Sequence, residues 1–150
     1  MVLTINQKKM NRIQINIFLF FLTFGCLAQA TNKSPLKTDF AVIKNQQWYL
    51  QTLLKNKYLT NGNQPYIHFS DTHLSGFAGC NQIKGNYTIE NNHINIQNIK
   101  QTKKFCQESI ELENRFVELL YKTHKWKFRK NKFILKDEHN KKLLIFTNQQ

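Results

Sequence analysis

Only one stretch of this chain, Ser109 to Lys122, repeats its apolar residues at helical spacing: Leu112, Phe116, Leu119 and Leu120 fall on one stripe. Ser109 is placed to cap its first amides, Glu111 and Glu113 lie near the positive end of the helix dipole, and Lys122 lies near the negative end. The other patterned segments read as short strands. His93 to Ile99 alternates strictly, with Ile94 and Ile96 on one face. Trp48 to Leu54 and Tyr66 to Phe69 are aromatic and branched, and Leu74 to Cys80 reads as a hairpin with Asn86 to Ile89. Lys125 to Arg129, Lys132 to Lys136 and Lys142 to Thr147 are separated by the turn signals Lys130-Asn131 and Asp137 to Asn140. One helix among many strands predicts a mainly β fold, a curved antiparallel sheet or barrel-like meander with the helix packed on it.

Residues 1–30 have the three parts of a secretory signal peptide. Lys8, Lys9 and Arg12 give a positive flank, Ile13 to Gly25 is largely apolar, and Ala28-Gln29-Ala30 offers small residues before a cut at Thr31. The apolar core is shorter than the roughly 20 residues that span a bilayer. Two ambiguities stay open: Met1 or Met10 as the start, and a lipoprotein-type cut before Cys26, which would anchor the protein through that cysteine. Residues 31–44 read as a linker, with Phe40-Ala41-Val42-Ile43 as a short first element, and 45–147 as one domain.

Loss of the leader leaves Cys80 and Cys106. In an oxidising compartment an even pair reads as a disulfide, worth about 3–4 kcal/mol on the chain-entropy model. The rival reading makes Cys80 a catalytic thiol. Net charge is +13, and beyond the leader nineteen basic residues still face nine acidic ones. That excess favours an anionic surface as partner, although no nucleic-acid motif spacing appears and no specific nucleic acid is expected. Trp126, Phe128 and Phe133 interleave with lysines over Lys125 to Lys136, which reads as an edge strand guarded by lysine or as a base-stacking strip. His68, His73, His93, His124 and His139 have no zinc spacing, so no metal and no cofactor are expected. Ser70, Asp71, His73 and Ser75 are neighbours in sequence, which argues little for a triad. Catalytic residues are therefore expected to be none.

Three of the five glycines lie within ten residues, in Ser75-Gly76-Phe77-Ala78-Gly79-Cys80-Asn81 and Gly85-Asn86-Tyr87. The run lacks a Gly-Lys-Ser or Gly-Lys-Thr ending and no helix follows it, so it is no phosphate loop. Gly76 and Gly79 read as bends in a strand, and Gly85 as a turn residue with positive φ. This motif resembles the centre of the META domain, the family of the heat-inducible protein HslJ. Trp48-Tyr49-Leu50, Thr102 to Cys106, the helix positions Glu113, Phe116 and Leu120, and Leu144-Ile145-Phe146 follow in the family's order. Lys103-Lys104-Phe105 and Gln82-Ile83-Lys84 depart from its usual residues. The resemblance implies an exported or envelope-anchored β domain without established catalytic residues, associated with heat shock, drug tolerance and virulence.

The resulting expectation is an exported non-enzymatic protein of the periplasm or cell envelope, a stress-tolerance or binding module for an envelope protein, a peptide or a small ligand. The alternatives are a secreted inhibitor of a host or competitor enzyme and a small thiol enzyme centred on Cys80.

Overall fold

The computed structural model describes residues 39–57 and 63–148. The leader, Cys26, both candidate start sites and Asn61-Gly62, which reads in the sequence as a turn signal, lie outside them. The described strands are β1 (Gln47–Leu53), β2 (Asn56–Lys57), β3 (Tyr66–Phe69), β4 (His73–Phe77), β5 (Gln82–Glu90), β6 (His93–Gln101), β7 (Lys125–Arg129), β8 (Lys132–Lys136) and β9 (Lys142–Thr147). One helix, α1 (Ile110–Tyr121), joins β6 to β7, and 3-10 turns occupy Phe40–Val42 and Gln107–Ser109.

All nine strands belong to one antiparallel sheet in the order β2-β1-β3-β4-β5-β6-β7-β8-β9, and β9 returns to pair with β1. The sheet therefore curves into a ring, as the mainly β reading anticipates. Tight turns make this possible. Lys130 and Asn131 both take positive φ (52° and 56°) between β7 and β8, the left-handed pair that a two-residue hairpin needs. The ring has one weak seam. β6 and β7 share a single register pair, His93 with Lys125, although two flanking backbone bonds extend it, Ile94 to His124 and Trp126 to Asn92. Beyond them α1 supplies the missing partner: the Tyr121 hydroxyl accepts the Ile99 amide at 2.9 Å and donates to the Ile99 carbonyl at 3.3 Å.

Alternation places one face of each strand inside the ring. Trp48, Leu50, Ile67, Phe69, Leu74, Ile94, Ile96, Phe133, Leu135, Leu144 and Phe146 are all buried. Phe133 stands at the centre of an aromatic cluster, with ring centroids of Phe40, Trp48, Phe69, Trp126 and Phe146 between 5.5 and 6.4 Å away. Phe40 and Ile43 also enter the core, so the short element before β1 is part of the folded body. The two indoles keep their N–H bonded, Trp48 to the Ile43 carbonyl at 2.8 Å and Trp126 to the Asn91 carbonyl at 3.0 Å.

Three local expectations are corrected. Ser109 makes no side-chain cap, because the chain enters α1 through the Gln107–Ser109 turn and Ser109 already has helical geometry (φ −106°, ψ −8°) rather than the extended form a cap requires. The helix ends one residue earlier than read, at Tyr121, while Lys122 stays near the negative end of the dipole as its C-cap and pairs with Glu118. The edge reading fails for β8, which is bonded to β7 on one side and β9 on the other, whereas β7 past Trp126 stays open on the side facing β6. Replacing Phe133 by Ala is expected to cost about 3–5 kcal/mol in a urea unfolding titration. The exposed Phe105→Ala change should stay within about 0.5 kcal/mol.

Candidate functional site

The glycine-cysteine motif forms the β4–β5 hairpin, and each of its unusual residues has a steric or bonding task. A Cβ on Gly76 would collide with the Tyr66 carbonyl oxygen of neighbouring β3 and stand 3.1 Å from the Ile67 Cα. Gly79 turns the chain at φ +113°, where a side chain would be strained. Gly85 corrects the sequence reading, since it lies in β5 and has no positive φ. It faces a bulge in β6 at Asn98 (φ 54°), where an added Cβ would stand 3.0 Å from the Gln97 carbonyl and 3.2 Å from Ile99 Cγ1.

Cys80 is bonded to Cys106, with Cα atoms 6.1 Å apart. Asn81, 6% exposed, makes every hydrogen bond its amide allows. Its Oδ1 accepts the Thr102 hydroxyl at 2.7 Å and the Lys104 amide at 2.8 Å. Its Nδ2 donates to the Lys104 carbonyl and to Glu113 Oε2, each at 3.1 Å. Thr102 extends the network, its hydroxyl accepting the Gln82 amide at 3.1 Å. Bridge and amide together fix the segment from Thr102 to Cys106 against the hairpin, and Glu113 fixes the first turns of α1. Glu113 is buried (6% exposed), a role the sequence reading assigned to the helix dipole instead. The available signal was its place on the apolar side of α1, three residues before Phe116 and seven before Leu120. The clamped segment holds Lys103, Lys104 and Phe105 outward, with Phe105 83% exposed.

The other candidate groups are dispersed. Across the β3–β4 turn the Ser70 hydroxyl meets both backbone groups of His73, donating to the carbonyl and accepting the amide, and the Thr72 hydroxyl meets the His73 ring. Asp71 pairs with Lys44 at 3.2 Å. His124 bonds the Lys122 carbonyl, and His139 lies 3.2 Å from Glu138. Among the described residues, no three His, Cys, Asp or Glu side chains converge as metal ligands would. Shallow grooves open beside Tyr87 and Asp71 (about 320 Å³), over the β6 bulge (about 620 Å³) and between α1 and the β8–β9 turn (about 340 Å³).

Shifted ionisations follow local causes. Burial raises the Tyr87 phenol, opposed by nearby Lys44 and helped by Asp71, while its hydroxyl donates to the Ser70 carbonyl. Hydrogen bonds from Lys122 and Arg115 lower Glu118. Burial lowers Lys136, and the charges of Lys127, Lys142 and Lys125 add to it.

Asn81→Ala removes four bonds and strands the Glu113 carboxylate, so a loss of about 2–4 kcal/mol is expected in chemical unfolding. Asn81→Asp sets a second carboxylate against Glu113. Crowding raises their folded pKa values, so the variant's deficit should shrink as pH falls, and a deficit that grew instead would contradict the contact.

The META domain family model matches residues 41–150. No curated protein matches the chain. Solved structures share its fold at low identity. One protein determined by NMR has a TM-score of 0.60 at 19% identity, covering 74% of this chain and 95% of the other. An NMR structure from Burkholderia xenovorans gives 0.57 at 18%, covering 73% and 86%. The crystal structure of a DUF4847 family protein from Bacteroides vulgatus gives 0.53 at 17%, covering 74% and 99%. With the family model spanning the whole ring, its clamp and its helix, the chain belongs to the META domain family.

Proposed function

We propose that this protein is an exported, non-enzymatic module of the cell envelope that acts by binding, in a stress-tolerance role. The observation that carries the reading is the Cys80–Cys106 bridge. A cystine placed between the central hairpin and the helix suits an oxidising compartment, in line with the signal-like leader at residues 1–30. The motif's reactive groups are also committed: Cys80 to the bridge and Asn81 to four protein partners. The thiol-enzyme reading centred on Cys80 needs this bridge opened before any nucleophile exists.

One observation favours a second reading, a secreted inhibitor of a host or competitor enzyme. Phe105 projects beside Lys103 and Lys104 from a segment pinned at both Lys104 backbone groups, so little ordering entropy remains to be lost on entering a cleft. Pull-down from envelope extract with wild type and Phe105→Ala, at low and high salt, tests it. An enzyme retained only by the wild type supports inhibition, and an identical protein set from both excludes Phe105 as the anchor.

Export and the bridge are tested together by expression with the native leader and alkylation of the native protein recovered from the periplasm. The expected result is no alkylated thiol at Cys80 or Cys106 before reduction and two after it. Retention in the cytoplasm, or two thiols free in the native protein, would overturn the reading.

A further inference from the structure

Among the basic residues of the closing strands, Lys125 is bonded to the β8–β9 turn, while those of β8 and β9 have no task in the fold. In β7 and β8, Trp126 and Phe133 are buried and Phe128 packs on the core, so Lys127, Arg129 and Lys132 face outward. Cross-strand pairing places Lys125 beside Lys136 and Lys136 beside Lys142, and sets Arg129 beside Lys132. Six cations thus share the outer face of three adjacent strands. Between them, Ile134 pairs with Ile145 and both are half-buried. The strands of the whole ring carry nine basic residues and one acid, Glu90.

Two ordinary explanations fall short. Lysine protects an open sheet edge, which covers Lys127 and Arg129 of β7 beside the β6 seam but not Lys132, Lys136 and Lys142, since β8 and β9 are paired on both sides. Lysines interleaved with aromatics stack bases, yet Trp126, Phe128 and Phe133 point into the core. Neutralisation within the face is also slight. The salt bridges among the described residues involve Lys44, Arg115, Lys122 and His139. At the margin, the Lys125 ammonium meets the Glu138 carbonyl and Asn140 Oδ1, while Asp137 accepts the Lys141 amide within the turn. Lys136 feels the repulsion directly: its pKa is lowered by burial and then by Lys127, Lys142 and Lys125. Like charges held this close form a surface whose complement is anionic.

We propose that the outer face of β7, β8 and β9 docks on an anionic lipid bilayer, with lysine and arginine head groups meeting lipid phosphates and Ile134 and Ile145 settling at headgroup level. The charges are spread in two dimensions across neighbouring strands rather than along a groove, which suits a planar array of phosphates. The apolar tips among them are aliphatic, which offers a bilayer contact and offers a base no stacking plane. Each cation near such a surface adds attraction that salt screens. The inference goes beyond the envelope role and its test does not depend on export.

The experiment is vesicle flotation of the full chain on phosphatidylcholine with and without phosphatidylglycerol. The readout is the ratio between the two, compared among variants that share the same leader, so the anionic preference added by Lys8, Lys9 and Arg12 is common to all of them. The expected result is a strong preference for the anionic vesicles that falls with salt. Lys127→Glu with Lys132→Glu and Lys142→Glu should reduce that preference on the order of a hundredfold. The Lys→Gln triple at the same sites serves if the reversal does not fold, judged by circular dichroism. Lys57→Glu with Lys84→Glu and Lys100→Glu carries the same net charge and should retain most of the preference. No anionic preference in the wild type, an equal loss in both glutamate triples, or binding through this face to a single-stranded oligonucleotide but not to vesicles would each overturn the proposal.

Discussion

The arrangement rests on one buried amide. Asn81 has two donor and two acceptor sites, and all four are met by groups distant in sequence: Thr102, the two backbone groups of Lys104, and Glu113. An amide buried with partners missing would cost free energy, so this network is stable only with every member in place. Its geometry therefore fixes where β6 ends and where α1 begins. The Cys80–Cys106 bridge holds the same junction covalently. Hydrogen bonds give the segment its orientation, and the cystine limits how far it can separate in the unfolded chain.

That junction matters because the ring is nearly complete without being uniform. Eight strand pairings, β1 with β9 among them, share ladders or hairpins, while β6 and β7 meet at one register position. The helix connecting those two strands covers the opening, and Tyr121 bonds β6 where a strand would otherwise have done so. Closure elsewhere removes open edges. It also directs the aromatic side chains inward around Phe133 and leaves the alternate positions, many of them lysine, on the outside. The charge distribution is thus a product of closure: the same alternation that fills the core arrays the cations.

Much of the fold was legible in local pattern. The strict alternation around Ile94 and Ile96, the left-handed turn at Lys130-Asn131 and the apolar stripe from Phe116 to Leu120 each report on contacts close in sequence. Readings failed where the answer depended on a distant partner. Gly85 looked like a turn residue because glycine permits positive φ, but it is needed for the close approach of the β6 bulge. Ser109 had the right chemistry for a cap and the wrong backbone, because the bridge at Cys106 is followed at once by a 3-10 turn. Glu113 looked like a dipole partner until the fold brought Asn81 to it. The lysines of β8 looked like edge guards because its pairing with both β7 and β9 shows only once all three strands are placed, while β7 does stay open toward β6 past its first residues.

By itself, the sequence determined the class: a mainly β domain with one helix, a glycine-cysteine-asparagine motif and a strong positive charge. These follow from side-chain periodicity, composition and the backbone preferences of glycine and asparagine, all of which act within a few residues. Tertiary structure alone decided that the sheet closes, that Asn81 serves a buried clamp, that Phe105 is held outward, and that six cations share one outer face. Each of those depends on which strand lies beside which, and long-range pairing is set by the packing of the whole core around Phe133.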